Sequence, residues 1–372
     1  MVHDFIVIGA GMAGASAAYE LSAHGRVLVI EAEKQPGYHS TGRSAALFTR
    51  NYGSPLVRKI NALSEPFFRA PPEGFADSPL LHPRGALTVT SDGDAANLDI
   101  VLAASTSDDP VNEIDRQEAL ALAPFLRPER VARATFEPGV TDIDVAALLR
   151  FYLRGYKYRG GEIRTGEPVL ALAQNDGIWT ATTAKGNYQA KTVINAAGAW
   201  ADEIGHLAGA SRIGLIPKRR TAIIVDATVG YDIGKLPCVD FAPSDAYIKP
   251  EAGKLMVSLG DATPTSPQDA QPDEMDVAIV ADWLERETLI PVRRIAHSWA
   301  GLRSFVPDES PVVGFDPALP GFIWLAGQGG FGIMMAPALA RATASLGLEG
   351  GLPDDFLSLD IGLHDLGPDR LE

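Results

Sequence analysis

Three cations stand side by side in this chain, Lys218, Arg219 and Arg220, directly before the apolar run "TAIIV". The chain carries 47 acidic and 32 basic side chains, which gives a formal net charge of −15. Cations at the start of a buried strand need an anion, water or a chemical use, because burying an unpaired charge is costly. The question is which anion an acidic protein would gather there.

A glycine turn near the start of the chain has the spacing of a phosphate-binding site. Gly9, Gly11 and Gly14 follow the apolar run "FIVI" and precede an alanine-rich helical pattern. Such glycines allow a tight turn and a close approach of the backbone to pyrophosphate, and the helix N-terminus supplies N–H donors. Glu31 ends the next apolar run, where a carboxylate can accept both ribose hydroxyls of an adenine dinucleotide. NAD and FAD share this pattern, so it does not choose between them.

A second glycine turn, "GQGGFG" at 327–332, also opens a helical pattern. Its N–H groups could stabilise the negative charge of a reduced flavin, whereas a nicotinamide would gain little from them. The turn therefore favours FAD over NAD. The alternative is a turn that only packs.

The elements that must position these turns can be read from periodicity. Residues 5–31 predict a strand–helix–strand unit and hence a parallel sheet. The other predicted elements are an irregular loop at 36–55, an edge strand at 84–91, a helix within 116–126, a helix within 140–161 capped by Asp142 or Asp144, several strands over 162–202, a strand-rich region at 214–304 with one helix, and a closing strand, turn and helix.

Composition excludes several classes of protein. An acidic chain with pI near 4.9 repels nucleic acid and anionic membrane surfaces. One cysteine, Cys238, permits no intrachain disulfide, and His3, His24, His206, His297 and His364 lack metal-ligand spacing, so we expect no metal. We expect no transmembrane segment, and strand residues from Phe5 leave no room for a signal peptide. These points predict a cytoplasmic protein.

Six segments together resemble the glycine oxidase and D-amino acid oxidase family of flavoproteins. They are "GAGMAGASAAYELSAHG", "PGYHSTGRSAA", "NAAGAWAD", "PKRR", "WAGLRSF" and "GQGGFGI", in that order along nearly the whole chain. Within the family the sequence looks most like the bacterial D-arginine dehydrogenases. The resemblance implies an α/β fold, in which a Rossmann-type FAD-binding domain is interleaved with an α+β substrate domain on a mainly antiparallel sheet.

The resemblance also implies domain bounds and cofactor contacts. Residues 1–82, 142–213 and 305–372 would form the FAD-binding domain, and residues 83–141 and 214–304 the substrate-binding domain. FAD would be held non-covalently, because Cys238 is not where covalent relatives attach it. The residues implied to contact FAD are Gly9, Gly11, Gly14, Glu31, Thr41, Arg43, Ser44, Ala46, Val169, Ala197, Gly198, Gly329, Gly330, Gly332 and Ile333.

By the same resemblance, the anion gathered by the cations is a substrate carboxylate. Arg303 matches a residue that binds it bidentately, while Arg220, Tyr247 and Tyr52 match residues beside it or on a covering loop. The Gly330 carbonyl matches the acceptor of the substrate amine. Lys218 and Arg219 are expected to face solvent or structural carboxylates.

The implied reaction is oxidative deamination of a D-amino acid by hydride transfer from Cα to flavin N5. Oxygen or a quinone-linked acceptor would take the electrons, and the sequence leaves both open. Two alternatives remain. One is oxidation of a secondary or cyclic amino acid of the D-proline, sarcosine or opine type, and the other is a non-catalytic flavin-binding redox protein.

Departures from the D-arginine dehydrogenases bear on the side chain of the substrate. Leu47 replaces a histidine, Ala86 replaces a glutamate that faces a distal cation, and Ser244 replaces a second acid beside Asp245. Without a buried carboxylate, a guanidinium would lose its hydration uncompensated. The sequence therefore predicts a preference for neutral, apolar side chains, with Asp245 as the residue that could reverse it.

Overall fold

A computed structural model gives the structure of the 372-residue chain. It describes residues 1–72, 78–91, 96–103, 105–226, 232–242 and 244–371.

The helices and strands follow one another along the whole described chain. The strands are β1 Val2–Ile8, β2 Val27–Glu31, β3 Leu47–Phe48, β4 Leu81–Pro83, β5 Ala86–Thr90, β6 Asn112–Ile114, β7 Arg133–Glu137, β8 Thr141–Ile143, β9 Glu162–Thr165, β10 Val169–Asn175, β11 Ile178–Thr183, β12 Gly186–Asn195, β13 Ile216–Val225, β14 Cys238–Ala242, β15 Ala246–Glu251, β16 Lys254–Ser258, β17 Thr263–Pro264, β18 Ile295–Phe305, β19 Val312–Phe315 and β20 Phe322–Ala326. The α-helices are α1 Met12–Leu21, α2 Pro55–Arg69, α3 Ala96–Ala103, α4 Arg116–Leu122, α5 Val145–Tyr158, α6 Ala201–Ala208, α7 Glu274–Glu287, α8 Gly332–Glu349, α9 Asp354–Ser358 and α10 Leu363–Leu366.

The first sheet is built around the predicted strand–helix–strand unit. Its main path runs β10-β11-β12-β1-β2-β9, and β20 pairs with β12 and β19. β1 is parallel to β2 and to β12, with Val7 opposite Val29 and Ile194. The "FIVI" residues of β1 are all buried, as expected of a parallel strand covered on both faces. The unit confirms the predicted parallel sheet.

The second sheet is mainly antiparallel and supplies most of the cavity wall. Its path runs β17-β13-β16-β15-β14-β5-β7-β6, with β18 on the other side of β13. The prediction of an edge strand at 84–91 is wrong, because β5 lies between β14 and β7. The segment looks like an edge because of its polar threonines, of which Thr88 faces a cavity while Thr90 is buried. A small sheet of β3, β8 and β4 joins the two larger ones.

Several helices begin where a side chain satisfies a free backbone N–H. Asp144 caps α5 by accepting from the Ala147 N–H at 2.7 Å, which selects it over Asp142 as the cap. Ser54 caps α2, and Asp273 caps α7. The predicted helices within 116–126 and 140–161 are therefore confirmed as α4 and α5.

Separate apolar clusters fill the space around the two large sheets. One cluster packs α1, α5 and α8 against the first sheet and includes Val7, Tyr152 and Leu339. Another lies against the second sheet around Leu87, Val239 and Leu284. The fold is thus α/β, with a dinucleotide-binding domain interleaved with an α+β domain. Each large sheet takes its strands from the segments assigned to one predicted domain. The domain bounds themselves remain a proposal.

Candidate functional site

A cavity of about 560 Å³ lies between the first glycine turn and the second sheet. Residues from the loop at 40–52, from strands β5, β13, β14, β15 and β18, and from the second glycine turn line it. The two sheets therefore meet at one continuous space, with the phosphate-binding turn at one end and charged strand residues at the other.

The first glycine turn is packed too closely for any larger residue. Gly9 has φ +103°, and a Cβ there would lie 2.4 Å from the Ala196 carbonyl oxygen. A Cβ on Gly14 would lie 1.9 Å from the Gly9 carbonyl oxygen. Gly11 is the N-cap residue of α1 and has no side chain with which to cap it, while the Met12 N–H donates to Thr41 Oγ1 at 2.9 Å. The turn thus offers free N–H donors to a pyrophosphate, so its shape fits a dinucleotide.

Glu31 lies at the end of β2, where the sequence predicts it. Its two carboxylate oxygens accept from the Ala10 N–H at 2.6 Å and the Glu33 N–H at 2.8 Å. Burial raises the pKa of this carboxyl above its usual range, and these bonds oppose the rise. Glu31 therefore fixes the glycine turn as well as offering acceptors to a ribose, a positioning role that sequence reasoning missed.

Replacing Glu31 by alanine should weaken retention of FAD. The substitution removes charge-assisted hydrogen bonds worth about 1.5–3 kcal/mol each, and frees the Ala10 N–H inside the turn. The FAD-to-protein ratio after gel filtration measures this, with Glu31→Gln as the milder control. Wild-type protein should release intact FAD on heat denaturation, because burial raises the pKa of the Cys238 thiol and keeps it un-ionised, although the residue lines the cavity. Flavin that precipitates with the polypeptide would contradict non-covalent binding.

The loop at 40–52 is tied to β18 by hydrogen bonds. Ser40 Oγ donates to the Leu302 carbonyl at 2.7 Å, and Thr41 Oγ1 accepts from the Met12 N–H at 2.9 Å. Arg43 lines the cavity, but its Nη1 donates to the carbonyls of Ala270 and Ala300 at 2.8 and 3.0 Å. The Arg43 guanidinium thus holds the loop to the second sheet, and its carbonyl accepts from Trp299 Nε1 at 3.2 Å.

The second glycine turn closes the cavity beside β18. Gly329 has φ +53°, and a Cβ on it would lie 2.3 Å from the Phe305 ring. Its N–H donates to the Ser304 carbonyl at 3.0 Å. Gln328 also lines the cavity, and its buried Nε2 has no partner within the described chain. An unpartnered amide donor at this turn fits a polar ring system in the cavity, and sequence reasoning missed it.

The structure separates the predicted cofactor residues into two groups. Those that line the cavity are Gly11, Thr41, Arg43, Ser44, Ala46, Gly198, Gly329, Gly330, Gly332 and Ile333. Those that lie outside its lining are Gly9, Gly14, Glu31, Val169 and Ala197. Gly9 and Gly14 allow the close packing of the first glycine turn, and Glu31 accepts a hydrogen bond from the Ala10 N–H within it. The contacts of Val169 and Ala197 with adenine and nucleotide remain predictions.

Two guanidinium groups face the cavity from neighbouring strands. Arg220 on β13 is paired with Gly301 on β18, and Arg303 follows two residues later on β18. Arg220 donates to the carbonyls of Gly260 and Asp261, which fixes its orientation. Burial, followed by the charge of Arg303, lowers the pKa of Arg220. The Arg303 guanidinium has no hydrogen-bond or ion-pair partner in the described part of the chain. This end of the cavity therefore requires an anion.

Two tyrosines lie close to these arginines. Tyr247 on β15 lines the cavity, and burial raises the pKa of its hydroxyl while Arg303 and Arg220 oppose the rise. Tyr52 is 49% exposed, and its ring packs edge-on against Phe331 with centroids 5.1 Å apart. A Cβ on Gly330 would lie 3.1 Å from Arg303 Nη1, so that guanidinium rests on the second glycine turn. The structure thus brings all five predicted substrate residues together.

Acidic side chains line the same cavity. Glu137 on β7, Asp240 on β14 and Asp245 in the turn before β15 all face it, together with Ala86 and Leu47. The assumption of a pocket without buried carboxylates is therefore wrong, because Glu137 is only 8% exposed. Burial, with the charges of Glu137 and Asp245, raises the pKa of Asp240 to about 7.

The alternation of side chains in β14 contains a sequence signal for one of these acids, Asp240. In "CVDFA", Cys238, Asp240 and Ala242 share one face, and an acid inside so apolar a strand is unusual. Glu137 ends β7 without a comparable signal. Only the pairing of both β7 and β14 with β5 brings the two acids to one wall.

The two neighbouring cations lie outside the cavity lining and pair with carboxylates, as predicted. Lys218 Nζ lies 3.3 Å from Glu309 Oε1, and Arg219 Nη2 lies 2.7 Å from Asp276 Oδ2. In the described ranges no group of three or more His, Cys, Asp or Glu side chains could hold a metal ion. None of the helices described is both long enough and apolar enough to cross a bilayer.

A dinucleotide-binding turn that shares a cavity with an unpaired guanidinium and a flavin-type glycine turn defines the class of this protein as a flavoprotein oxidoreductase. More specifically, the chain belongs to the DAO family of FAD dependent oxidoreductases, whose model matches residues 4–346. FAD is therefore its cofactor. The finer resemblance to bacterial D-arginine dehydrogenases stays a prediction.

Individual relatives are distant in sequence. Dimethylglycine dehydrogenase of Mus musculus is 24% identical over 96% of this chain and 44% of its own length. The chain thus spans about half the length of the dimethylglycine dehydrogenases that it matches. Glycine oxidase of Pseudomonas aeruginosa is 26% identical over 93% of this chain and 95% of its own length.

Solved structures share the fold. L-proline dehydrogenase from P. horikoshii superposes with a TM-score of 0.81 and 22% identity, covering 97% of this chain and 99% of that one. Glycine oxidase from Geobacillus kaustophilus superposes with a TM-score of 0.77 and 22% identity, covering 93% and 94%.

Proposed function

We propose that this protein is an FAD-dependent D-amino acid dehydrogenase or oxidase that deaminates its substrate oxidatively. The observation that carries the proposal is the unpaired Arg303 guanidinium beside Arg220, Tyr247 and the Gly330 turn. A planar guanidinium without an anion partner binds a carboxylate through two parallel charge-assisted bonds. The small molecule bound there is therefore a carboxylic acid, and the flavin cofactor makes it an oxidisable one.

The side chains act by orientation. Arg303 and Arg220 hold the substrate carboxylate, and the Tyr247 and Tyr52 hydroxyls donate to it. The Gly330 carbonyl accepts from the substrate amine, which binds in its neutral form. FAD, held between the two glycine turns, would supply the two-electron acceptor for the hydride that leaves Cα. Fixing carboxylate and amine leaves one direction for the Cα–H bond, and this fixed geometry lowers the barrier to hydride transfer.

The amino acid loses one hydride, which carries two electrons, from Cα, and its neutral amine becomes the protonated imine of an imino acid. Water then hydrolyses the imino acid to a 2-keto acid and ammonia. Oxygen or a quinone-linked acceptor subsequently removes the electrons from the protein. The requirement for a D configuration rests on the resemblance to D-amino acid oxidases.

A second candidate is oxidation of a secondary or cyclic amino acid. Relatives named for dimethylglycine and L-proline favour it, since both compounds carry a substituted amine. Both candidates use the same carboxylate clamp. They differ in whether the amine group beside Gly330 carries a carbon substituent.

Anaerobic mixing with a panel of amino acids tests the proposal. Primary D-amino acids should bleach the flavin absorbance, while L-enantiomers and amines without a carboxylate should not. The carboxylate-free amines are the control for the clamp. Faster bleaching by sarcosine or proline would select the second candidate, and bleaching by L-enantiomers alone would reject the D configuration. A flavin that no amine or amino acid reduces would indicate a non-catalytic redox protein.

A further inference from the structure

Alternating residues on the second sheet place both ends of the cavity on one face. Tyr247 on β15 is opposite Asp240 on β14, and Asp240 is opposite Thr88 on β5. Arg220 lies on β13, and β16 and β15 separate β13 from β14. At about 4.8 Å per strand, the axes of the strands that carry Arg220 and Asp240 are roughly 14 Å apart. A molecule held at the arginines by its carboxylate can therefore extend its side chain toward Asp240.

Glu137 is more than nine-tenths buried at this far end. Its Oε1 accepts from Thr49 Oγ1 at 2.6 Å and from Asn51 Nδ2 at 3.1 Å. Its Oε2 has no hydrogen bond or ion pair within the described ranges. This oxygen is not among the enclosed atoms, so it faces the cavity, where a carboxylate without a donor or an ion pair is costly. A cationic donor that enters through the cavity would offset this cost.

Asp240 is only partly buried, and it too faces the cavity without an ion pair among the described residues. The Cys238 thiol lies on the same face of β14, and the charged groups that influence Asp240, Glu137 and Asp245, have its own sign. Ala86 on β5 is paired with Glu137 on one side and with Cys238 on the other. Its methyl group is too small to cover either carboxylate. The small residue thus leaves the acids open to the cavity instead of forming an apolar wall.

We propose that Asp240 and Glu137 form a subsite for a cationic group at the far end of the substrate side chain. The preferred amino acid then carries a second amino group at the end of an alkyl chain, as D-lysine does. This inference rests on the proposed function, because it takes the substrate carboxylate to be held at Arg303. It replaces the apolar preference predicted from Ala86 and Leu47.

A pair of matched ligands tests the subsite without turnover. Hexanoate and 6-aminohexanoate differ by a terminal ammonium, and neither has an α-amine to oxidise. Titration of the FAD-loaded protein, followed by the flavin absorbance, should show at least tenfold tighter binding of 6-aminohexanoate. Equal or weaker binding of 6-aminohexanoate would overturn the subsite. Because this readout needs no reaction, it is independent of whether the proposed oxidation occurs.

Steady-state kinetics give the second test. We expect kcat/KM for D-lysine to exceed that for D-norleucine by at least tenfold. A preference for D-norleucine would refute the subsite while leaving the proposed function intact. If neither compound is oxidised but 6-aminohexanoate still binds more tightly, the proposed function fails and the subsite stands.

Three variants assign the effect to particular side chains. Asp240→Asn should lower the D-lysine preference at least tenfold, and Glu137→Gln, which keeps the acceptor for Thr49 and Asn51, should lower it several-fold. Asp245→Asn removes the same charge from an exposed residue at φ +52°, a conformation that asparagine tolerates. It should change the preference less than threefold. An equal effect of Asp245→Asn and Asp240→Asn would show that the preference comes from the total negative charge of the cavity and not from a subsite at Asp240.

The preference should also depend on pH. Asp240 is surrounded by Glu137 from β7, Asp245 from the turn, Tyr247 from β15 and Cys238 from its own strand. Its pKa of about 7 means that the carboxylate becomes fully charged above neutrality. The ratio of kcat/KM for D-lysine to that for D-norleucine should therefore rise several-fold from about pH 6 to about pH 8, and titration of the α-amine cancels in the ratio. A ratio that falls with pH would contradict the subsite, and Asp240→Asn should flatten the profile.

Discussion

Replacing Arg303 by methionine is expected to lower kcat/KM for amino acids by roughly a hundredfold or more. Losing one partner of a buried charged pair costs about 3–5 kcal/mol, because the other charge stays desolvated. Arg303 has no other partner among the described residues, so its removal should not break an ion pair that stabilises the fold. Stopped-flow reduction of the flavin measures the loss directly.

Arg219 offers a matched control for this prediction. It is an arginine of the neighbouring strand β13, but it pairs with Asp276 on the other face. Arg219→Met should keep turnover within about threefold, and both variants should keep the wild-type flavin spectrum. Arg220→Met should have an intermediate effect, since backbone carbonyls already hold that guanidinium. Unchanged turnover in Arg303→Met would remove the clamp from the mechanism.

The second large effect is expected at Gly14. A Cβ on this residue would lie 1.9 Å from the Gly9 carbonyl oxygen, which is backbone and cannot rotate away. Overpacking costs about 1–3 kcal/mol, and more where the backbone itself must move. Gly14→Ala should therefore displace the turn and leave protein without FAD, with a lowered Tm. Absorbance at the flavin band after gel filtration measures occupancy.

Gly351 provides the control for this substitution. It has nothing within 4 Å of its would-be Cβ and no positive φ. Gly351→Ala should therefore keep both FAD and Tm. A yellow Gly14→Ala protein with stoichiometric FAD and an unchanged Tm would show that the turn has more freedom than its packing indicates.

Local patterns in the sequence were enough for much of the fold. The spacing of Gly9, Gly11 and Gly14 after a buried strand predicts the turn because close backbone approach has few alternatives. Caps such as Asp144 predict helix starts because they bond to an N–H three residues away. These features depend on neighbours within a few residues, so a single sequence can specify them.

Partner strands are a different matter. The sequence predicts that 84–91 is a strand, but places it at an edge, whereas β5 has a partner on each side. An edge strand and a strand with partners on both sides show the same alternation of side chains. Which segments pair with β5 depends on chain closure over about 50 residues to β7 and about 150 residues to β14, and no local pattern records that choice.

The site likewise contains residues that a local motif reveals and residues that only strand pairing brings together. The sequence by itself determined the phosphate-binding turn and, through resemblance, the residues of the carboxylate clamp, because each belongs to a short motif. The far end of the cavity was decided by tertiary structure. Glu137 and Asp240 are 103 positions apart, and β5 brings them to one wall by pairing with both of their strands. From the sequence, Ala86 suggests an apolar wall. In the structure its methyl group leaves both carboxylates uncovered. The charge of the pocket is set by the residues beside Ala86 in the sheet, and not by its neighbours along the chain.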